Sequence, residues 1–187
     1  MGCIVLKILA LNESEITPEI DGQIKEGLCR SFPWYEAVFS VTRSWHGVFP
    51  VISIVGLSDD ESRVIAHSGI IQRKIFVNGI IGLSIFGIQN VFIHPDFRGR
   101  GLLRPLMDQI IRVAVRGEYD CGLLFCVPEL EKVYSAHKWE RIPETKIALV
   151  NEKGEEGLVP EKNIAMFYPL KISDFPVGVI NLQGNDW

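Results

Sequence analysis

Val91-Phe92-Ile93-His94-Pro95-Asp96-Phe97-Arg98-Gly99-Arg100-Gly101-Leu102-Leu103 runs from a β-branched and aromatic strand through a turn and a glycine-rich basic loop into a helix. Beyond it Leu102, Leu103, Leu106, Met107, Ile110, Ile111 and Ala114 recur at helical spacing until Gly117 supplies a stop. Each part of the loop has a physical use. Glycines let the backbone approach a ligand closely, the free N–H groups of a helix start point outward at a positive dipole end, and Arg98 and Arg100 add full charges. Together they make a seat for a phosphate-like anion. The pattern is neither GxxxxGK[ST] nor the dinucleotide GxGxxG. From spacing alone a second reading stands beside it, a strand-to-helix turn whose arginines cap neighbouring backbone.

Upstream, Val51–Leu57, Arg63–Val77 and Ile80–Ile93 read as three consecutive strands joined by Ser58-Asp59-Asp60-Glu61 and by Asn78-Gly79. Ile75 to Ile93 carries no charge and approaches the roughly 20 residues of a membrane span. The Asn-Gly pair and the interruptions at Gly82, Gly87 and Gln89-Asn90 predict a β-hairpin there instead. Ile4–Leu9 reads as an opening strand. Thr17 caps a helix with Pro18 at its first position and Ile20, Ile24 and Leu28 on one face, and a short helix covers Trp34–Thr42. Downstream come a strand at Gly122–Val127, a helix at Pro128–His137, and strands at Arg141–Val150 and Ile164–Tyr168. The sum is an α/β (α+β) fold, a mixed and mostly antiparallel central sheet flanked by helices, in one domain spanning 1–187.

Hydrophobic residues are 47% and charged ones 22%, which places the chain with ordinary globular domains and excludes disorder as its ground state. The balance of 19 basic against 23 acidic residues gives −4, so no general nucleic-acid or anionic-membrane footprint is expected. Cys3, Cys29, Cys121 and Cys126 form no CxxC pair, and His46, His67, His94 and His137 are dispersed, so neither a disulfide framework nor a metal is implied. Met1-Gly2-Cys3 begins like an acylation signal, but Leu6 stands where the pattern needs Ser or Thr. No secretory signal is read, and a cytoplasmic enzyme is expected.

Arg98-Gly-Arg-Gly101 after the Val-x-Ile-x-Pro strand resembles the pyrophosphate loop of the GNAT acyltransferases, [Q/R]-x-x-G-x-[G/A], with Leu103 departing at its last position. The resemblance extends from about Arg43 to the C-terminus. Arg43-Ser44-Trp45 with Pro50, Ala66-His67-Ser68-Gly69 with Arg73, and Ile172 to Gly178 resemble the nodulation N-acyltransferases, which transfer a fatty acyl group to an amino-sugar oligomer. The intact loop, Tyr134 before Trp139, and Gly184-Asn185-Asp186-Trp187 are similar to the aminoglycoside 2′-N-acetyltransferases. Both branches acylate amines on sugars.

The resemblance implies a GNAT fold that takes acetyl-CoA or another acyl-CoA as co-substrate and a small-molecule primary amine as acceptor. Arg98, Gly99, Arg100, Gly101, Leu102 and Leu103 would seat the pyrophosphate. The backbone of Val91 and Ile93 would hold the pantetheine arm, with the Val91 N–H facing the thioester oxygen. Tyr134 would protonate the departing sulfur, although Lys138 replaces the glycine that usually follows in this stretch. Period-two alternation puts Gln89 on the face of Val91, where the aminoglycoside branch carries a glutamate, and an amide cannot accept a proton as a carboxylate does. Deprotonation would then fall to a water chain, to His94, which otherwise reads as a surface or turn residue, or to a carboxylate, with Asp186 and the C-terminal carboxylate as candidates. Lys162-Asn163 and Asn185 stand near positions that are acidic in that branch, which argues against a polycationic acceptor. A protein or peptide amine, and a CoA-binding module without turnover, remain the rival functions. A homodimer stays open.

Overall fold

The computed structural model describes residues 7–143, 146–151, 153–160 and 162–187. In chain order the elements are β1 (Lys7–Asn12), α1 (Pro18–Ser31), α2 (Glu36–Phe39), β2 (Ile52–Leu57), β3 (Val64–Val77) and β4 (Ile81–Ile93). Then follow α3 (Leu103–Ala114), β5 (Cys121–Cys126), α4 (Glu131–Ser135), β6 (Glu140–Arg141), β7 (Ile147–Val150), β8 (Glu156–Leu158), β9 (Ile164–Pro169) and β10 (Ile180–Asn181). The strands order as β6-β9-β5-β4-β3-β10-β7-β8, with β2 also on β3 and β1 on β2. Among the described ladders β4 with β5 and β10 with β7 are parallel. A parallel neighbour demands a crossover, and α3 is the one between β4 and β5. This is the expected mixed, mostly antiparallel sheet with helices.

Contacts gather into two compact units, the first containing Phe49–Ile70 and Gln89–Val113 along with the chain up to Ser44. Its helix α1 begins as its sequence dictates, with the Thr17 hydroxyl accepting from the Ile20 amide at 3.2 Å and Pro18 at the first position. Ile24 and Leu28 are wholly buried. Between them Gly27 lies under the Phe92 ring, and an added Cβ would come within 2.3 Å of it. The second helix is shorter than Trp34–Thr42, a 3-10 turn at Pro33–Tyr35 leading into α2. The opening strand runs on past Leu9 to Asn12, pairing Lys7↔Leu57 through Asn12↔Ile52, while the start of the predicted Ile4–Leu9 lies outside the described residues. On α3, Leu106, Met107, Ile110 and Ala114 are buried while Arg104, Asp108 and Arg112 are exposed.

A buried polar network runs through this unit. Arg43, 3% exposed, gives its Nε to Asp21 Oδ1 at 2.9 Å, its Nη1 to Ser53 Oγ at 3.3 Å, and its Nη2 to Glu13. The Ser53 hydroxyl also meets His67 Nε2 at 3.3 Å. Burial, reinforced by the Arg43 charge, lowers the His67 pKa to about 4, so the imidazole is neutral at pH 7. Its Nδ1 lies 3.0 Å from the Asn90 carbonyl, which can only accept, so the proton sits on Nδ1. Asn90 Nδ2 in turn donates to the Arg43 carbonyl at 2.8 Å.

The second unit comprises Trp45–Val48, Ile71–Ile88 and Ala114–Trp187. Its core includes Ile75, Ile85, Leu123, Ile142, Phe167 and Ile180. Asn78 (φ 53°) and Gly79 (φ 68°) form the left-handed two-residue turn that Asn-Gly favours, so the uncharged stretch is a hairpin. The Asn78 side chain also takes the Val179 amide at 2.9 Å and gives to the Val177 carbonyl at 3.2 Å, beside the pairing of β10 with β3. Arg141–Val150 is not one strand. Pro143, which lacks a ladder donor, falls between β6, paired with β9, and β7, paired with β8 and β10. β8 and β10 were too short to carry a periodic signal.

Two outcomes follow from the first unit. Gly27→Ala should lower stability by about 1–3 kcal/mol in urea unfolding despite alanine's better helix propensity, because the Phe92 ring must move. For His67 the folded pKa lies below the unfolded value of 6.5, so its contribution is complete above about pH 6.5 and is lost as pH falls towards 4. The expected loss is about 3 kcal/mol relative to His67→Gln, read from urea midpoints across that range.

Candidate active site

Within β4 the alternation of faces is broken at Asn90, which takes the left-handed conformation (φ 53°) characteristic of a β-bulge. Parity therefore does not place Gln89 on the face of Val91. Gln89 is buried at 4% exposure, near Pro50 and Gly69, whereas Val91 and Ile93 are half-buried. The network described above holds this backbone, with His67 on the Asn90 carbonyl and the Asn90 amide group on the carbonyl of Arg43. His94, just past β4, is fully buried rather than on the surface, with Nε2 at 2.8 Å from Arg63 Nη2.

Beyond the 3-10 turn at Pro95–Phe97, Gly99 and Gly101 both adopt φ 75°. That region is open to glycine without penalty, and a Cβ at either position would meet nothing within 4 Å. The glycines thus serve the path of the chain and leave its outer side open. Among the described residues none accepts a hydrogen bond from the amides of Gly99, Arg100, Gly101, Leu102 or Leu103. Successive N–H groups around left-handed residues, running into a helix start, are the kind of backbone from which anion-binding concavities are built. The arginines also brace the loop. Arg98 Nε donates to the Ile93 carbonyl at 3.0 Å, Arg100 Nη2 to the Asp96 carbonyl at 3.2 Å, and the Arg100 guanidinium lies 5.1 Å from the Phe97 ring centroid. Leu102 is buried and anchors α3, and Leu103 is half-buried. The residues expected to hold a pyrophosphate thus come together as one loop with unused donors.

In the second unit Tyr134 is half-buried on α4, edge-on to Trp139 at 6.5 Å between centroids. Burial, with the neighbouring Cys126 as a smaller cause, raises its phenol pKa well above 10, so the hydroxyl keeps its proton at neutral pH. Lys138 adopts φ 66°, so it reproduces the left-handed turn that the more usual glycine would make. Trp139 is 1% exposed and packs on Phe86 and Tyr168 at 5.9 and 5.6 Å. Asp186 is also buried, and its Oδ1 lies 2.5 Å from His46 Nδ1. Arg73 acts electrostatically on Asp186, donates to the Asn185 carbonyl, and lies 5.1 Å from the Trp187 ring centroid. The indole of Trp187 rests on Gly87 and stands 5.1 Å from Phe125.

His46 carried no assigned role in the sequence. It lies 140 positions from Asp186, and only the fold pairs them. Among the described residues no group of three His, Cys, Asp or Glu is placed to hold a metal, and no helix is long and apolar enough to cross a membrane. Cys29, Cys121 and Cys126 are free thiols.

Residues 7–152 match the family Nodulation protein A (NodA). A search of curated proteins gives no match. Among solved structures the chain is similar to Escherichia coli ElaA, with a TM-score of 0.61 and 16% identity over 88% of this chain and 99% of that one. It is also similar to YhbS from Escherichia coli, a GNAT family N-acetyltransferase in complex with CoA, with a TM-score of 0.58 and 16% identity over 96% and 91% of the two chains. An acyl-CoA N-acyltransferase from Pseudomonas aeruginosa gives a TM-score of 0.59 at 14% identity, over 88% and 99%. At such identities these likenesses speak for the fold, while the family match spans most of the sequence. The chain belongs to the Nodulation protein A (NodA) family, and its fold is that of the GNAT N-acyltransferases it resembles.

Proposed function

We propose that the protein transfers an acyl group directly from acetyl-CoA or another acyl-CoA to a primary amine of a small molecule, an amino sugar being the acceptor class that the sequence resemblances favour. The observation that carries the donor half is the row of unbonded amides from Gly99 to Leu103, braced by Arg98 and Arg100. They suit a diphosphate, which offers many acceptor oxygens and at least two negative charges. By family resemblance the backbone of Val91 and Ile93 holds the pantetheine arm. The bulge at Asn90 supports that role by fixing the direction of the Val91 N–H.

Direct transfer, with no acyl-enzyme, is favoured by the state of the thiols. Burial raises Cys121 to about 12 and Cys126 to about 11, so neither presents a thiolate at neutral pH. Tyr134 is instead the acid. Its proton is retained at neutral pH and is therefore present when the sulfur departs.

Arg98→Ala combined with Arg100→Ala should weaken acetyl-CoA binding by tenfold or more in calorimetry while leaving the urea midpoint nearly unchanged. Equal affinity would remove the loop from donor binding. Tyr134→Phe should lower kcat by about 10²-fold with little change in donor affinity, since general acid catalysis contributes on that order. Thiol release at the wild-type rate would take Tyr134 out of the reaction. Release of thiol across a panel of amino sugars, polyamines and peptide amines identifies the acceptor, and binding without release from any amine would instead mean a CoA-binding module.

A further inference from the structure

Gln89 cannot take a proton from the amine, so the proposed transfer lacks a base. The structure offers one at a position the sequence left unassigned. His46 sits in the short bridge between Trp45 and Val48 with a left-handed backbone (φ 44°), a conformation that costs a residue with a Cβ about 1 kcal/mol or more. Three contacts hold it there. Its ring stacks on Trp45 with centroids 4.6 Å apart, its carbonyl accepts from Asn185 Nδ2 at 2.8 Å, and its Nδ1 meets Asp186 Oδ1 at 2.5 Å. Strain maintained by this many contacts is a feature of sites that must aim a group.

The exposures are asymmetric in the sense that catalysis needs. The Asp186 side chain is 6% exposed and that of His46 46%. A carboxylate only accepts, so Nδ1 carries the hydrogen and the neutral ring presents its lone pair at Nε2, for which no described residue is a hydrogen-bond partner. Arg73 of β3 also acts on the pair, attracted to Asp186. Asp186 thus has a half-buried cation beside it and still directs one oxygen at an exposed imidazole. The neighbouring Trp187 lies on Gly87, whose pairing with Leu123 is the last step of the β4–β5 ladder, and beside Phe125.

We propose that His46, oriented by Asp186, is the base that takes the proton from the acceptor amine. This rests on the acyl-transfer reading. Nε2 of His46 first takes the extra proton of the ammonium, and the freed amine nitrogen then bonds to the thioester carbonyl carbon and gives its second proton to solvent. The carbon–sulfur bond breaks with its electron pair on sulfur, which Tyr134 protonates. The products are an amide and a free thiol, and solvent water restores both side chains to their starting protonation. Asp186 touches no reacting atom and acts as a positioning residue.

The test compares wild type, His46→Gln and Asp186→Asn in thiol release from acetyl-CoA, using glucosamine and hydroxylamine as acceptors. Glucosamine is partly protonated near neutral pH and needs a base, whereas hydroxylamine is largely unprotonated there. With glucosamine, His46→Gln should lower kcat about 10²-fold and lose the limb of the pH–rate profile that falls towards acid, with acetyl-CoA affinity by calorimetry unchanged. With hydroxylamine the same variant should keep most of its rate. Asp186→Asn should lower kcat less than His46→Gln does and shift the acid limb without raising the KM for acetyl-CoA. Unchanged glucosamine kinetics in His46→Gln, or equal losses with both amines, would overturn the assignment. A wild type that binds acetyl-CoA and releases thiol to neither amine would overturn the transfer reading, and the base with it.

Discussion

A single left-handed residue inside a long strand sets the geometry of β4 before the glycine loop. At Asn90 the chain abandons the alternation of β4, and that departure is held from two directions by buried residues. The neutral imidazole of His67 binds the carbonyl, and the carbonyl of Arg43 binds the side-chain amide. Arg43 is in turn fixed by Asp21, Glu13 and Ser53, so strain in the strand is opposed by hydrogen bonds from α1 and β2 and from the chain between β1 and α1. Removing one partner would leave a buried polar atom without a mate, which costs more than the bond itself gains. The arrangement therefore persists as a unit. The Phe92 ring seated on Gly27 fixes the same stretch of β4 against α1 by packing alone.

The loop after β4 works by the opposite logic. Where the strand holds Asn90 by buried hydrogen bonds, the glycine turn has no acceptor for its amides among the described residues and uses its arginines partly to hold its own shape. A stiff scaffold beside a row of unsatisfied donors is the combination that binds an anion with little reorganisation.

Much of this was legible in the residues. The strand, turn, glycine loop and helix from Val91 onward, the Asn-Gly hairpin and the Thr-Pro helix start are local signals, and each has its expected form. The family resemblance drawn from Arg43 to Gly178 points to the same branch as the match over residues 7–152. What escaped was non-local or exceptional. Alternation cannot reveal a bulge at Asn90, because an asparagine in a strand is common and its left-handed state depends on His67 and Arg43. His94 looked like a turn histidine because its burial against Arg63 depends on a strand some thirty positions earlier. The break at Pro143 is written in the sequence, where Glu144-Thr145-Lys146 separate it from the apolar Ile147 to Val150. His46 and Asp186 meet through a reversal of the whole chain that no spacing rule encodes.

The crossover between β4 and β5 constrains how such a protein can diverge. The glycine loop is also the phase-setting joint of α3, since Leu102 is buried at its entry and Leu106, Met107 and Ile110 follow on the inward side. Adding or deleting one residue there would turn the helix by about 100°, swinging charged Arg104 and Asp108 towards the interior. Length polymorphism at this joint is therefore penalised by the core itself. Relatives are free to exchange side chains around the loop, while novelty in acceptor choice must arise in segments whose insertion leaves that helix in register.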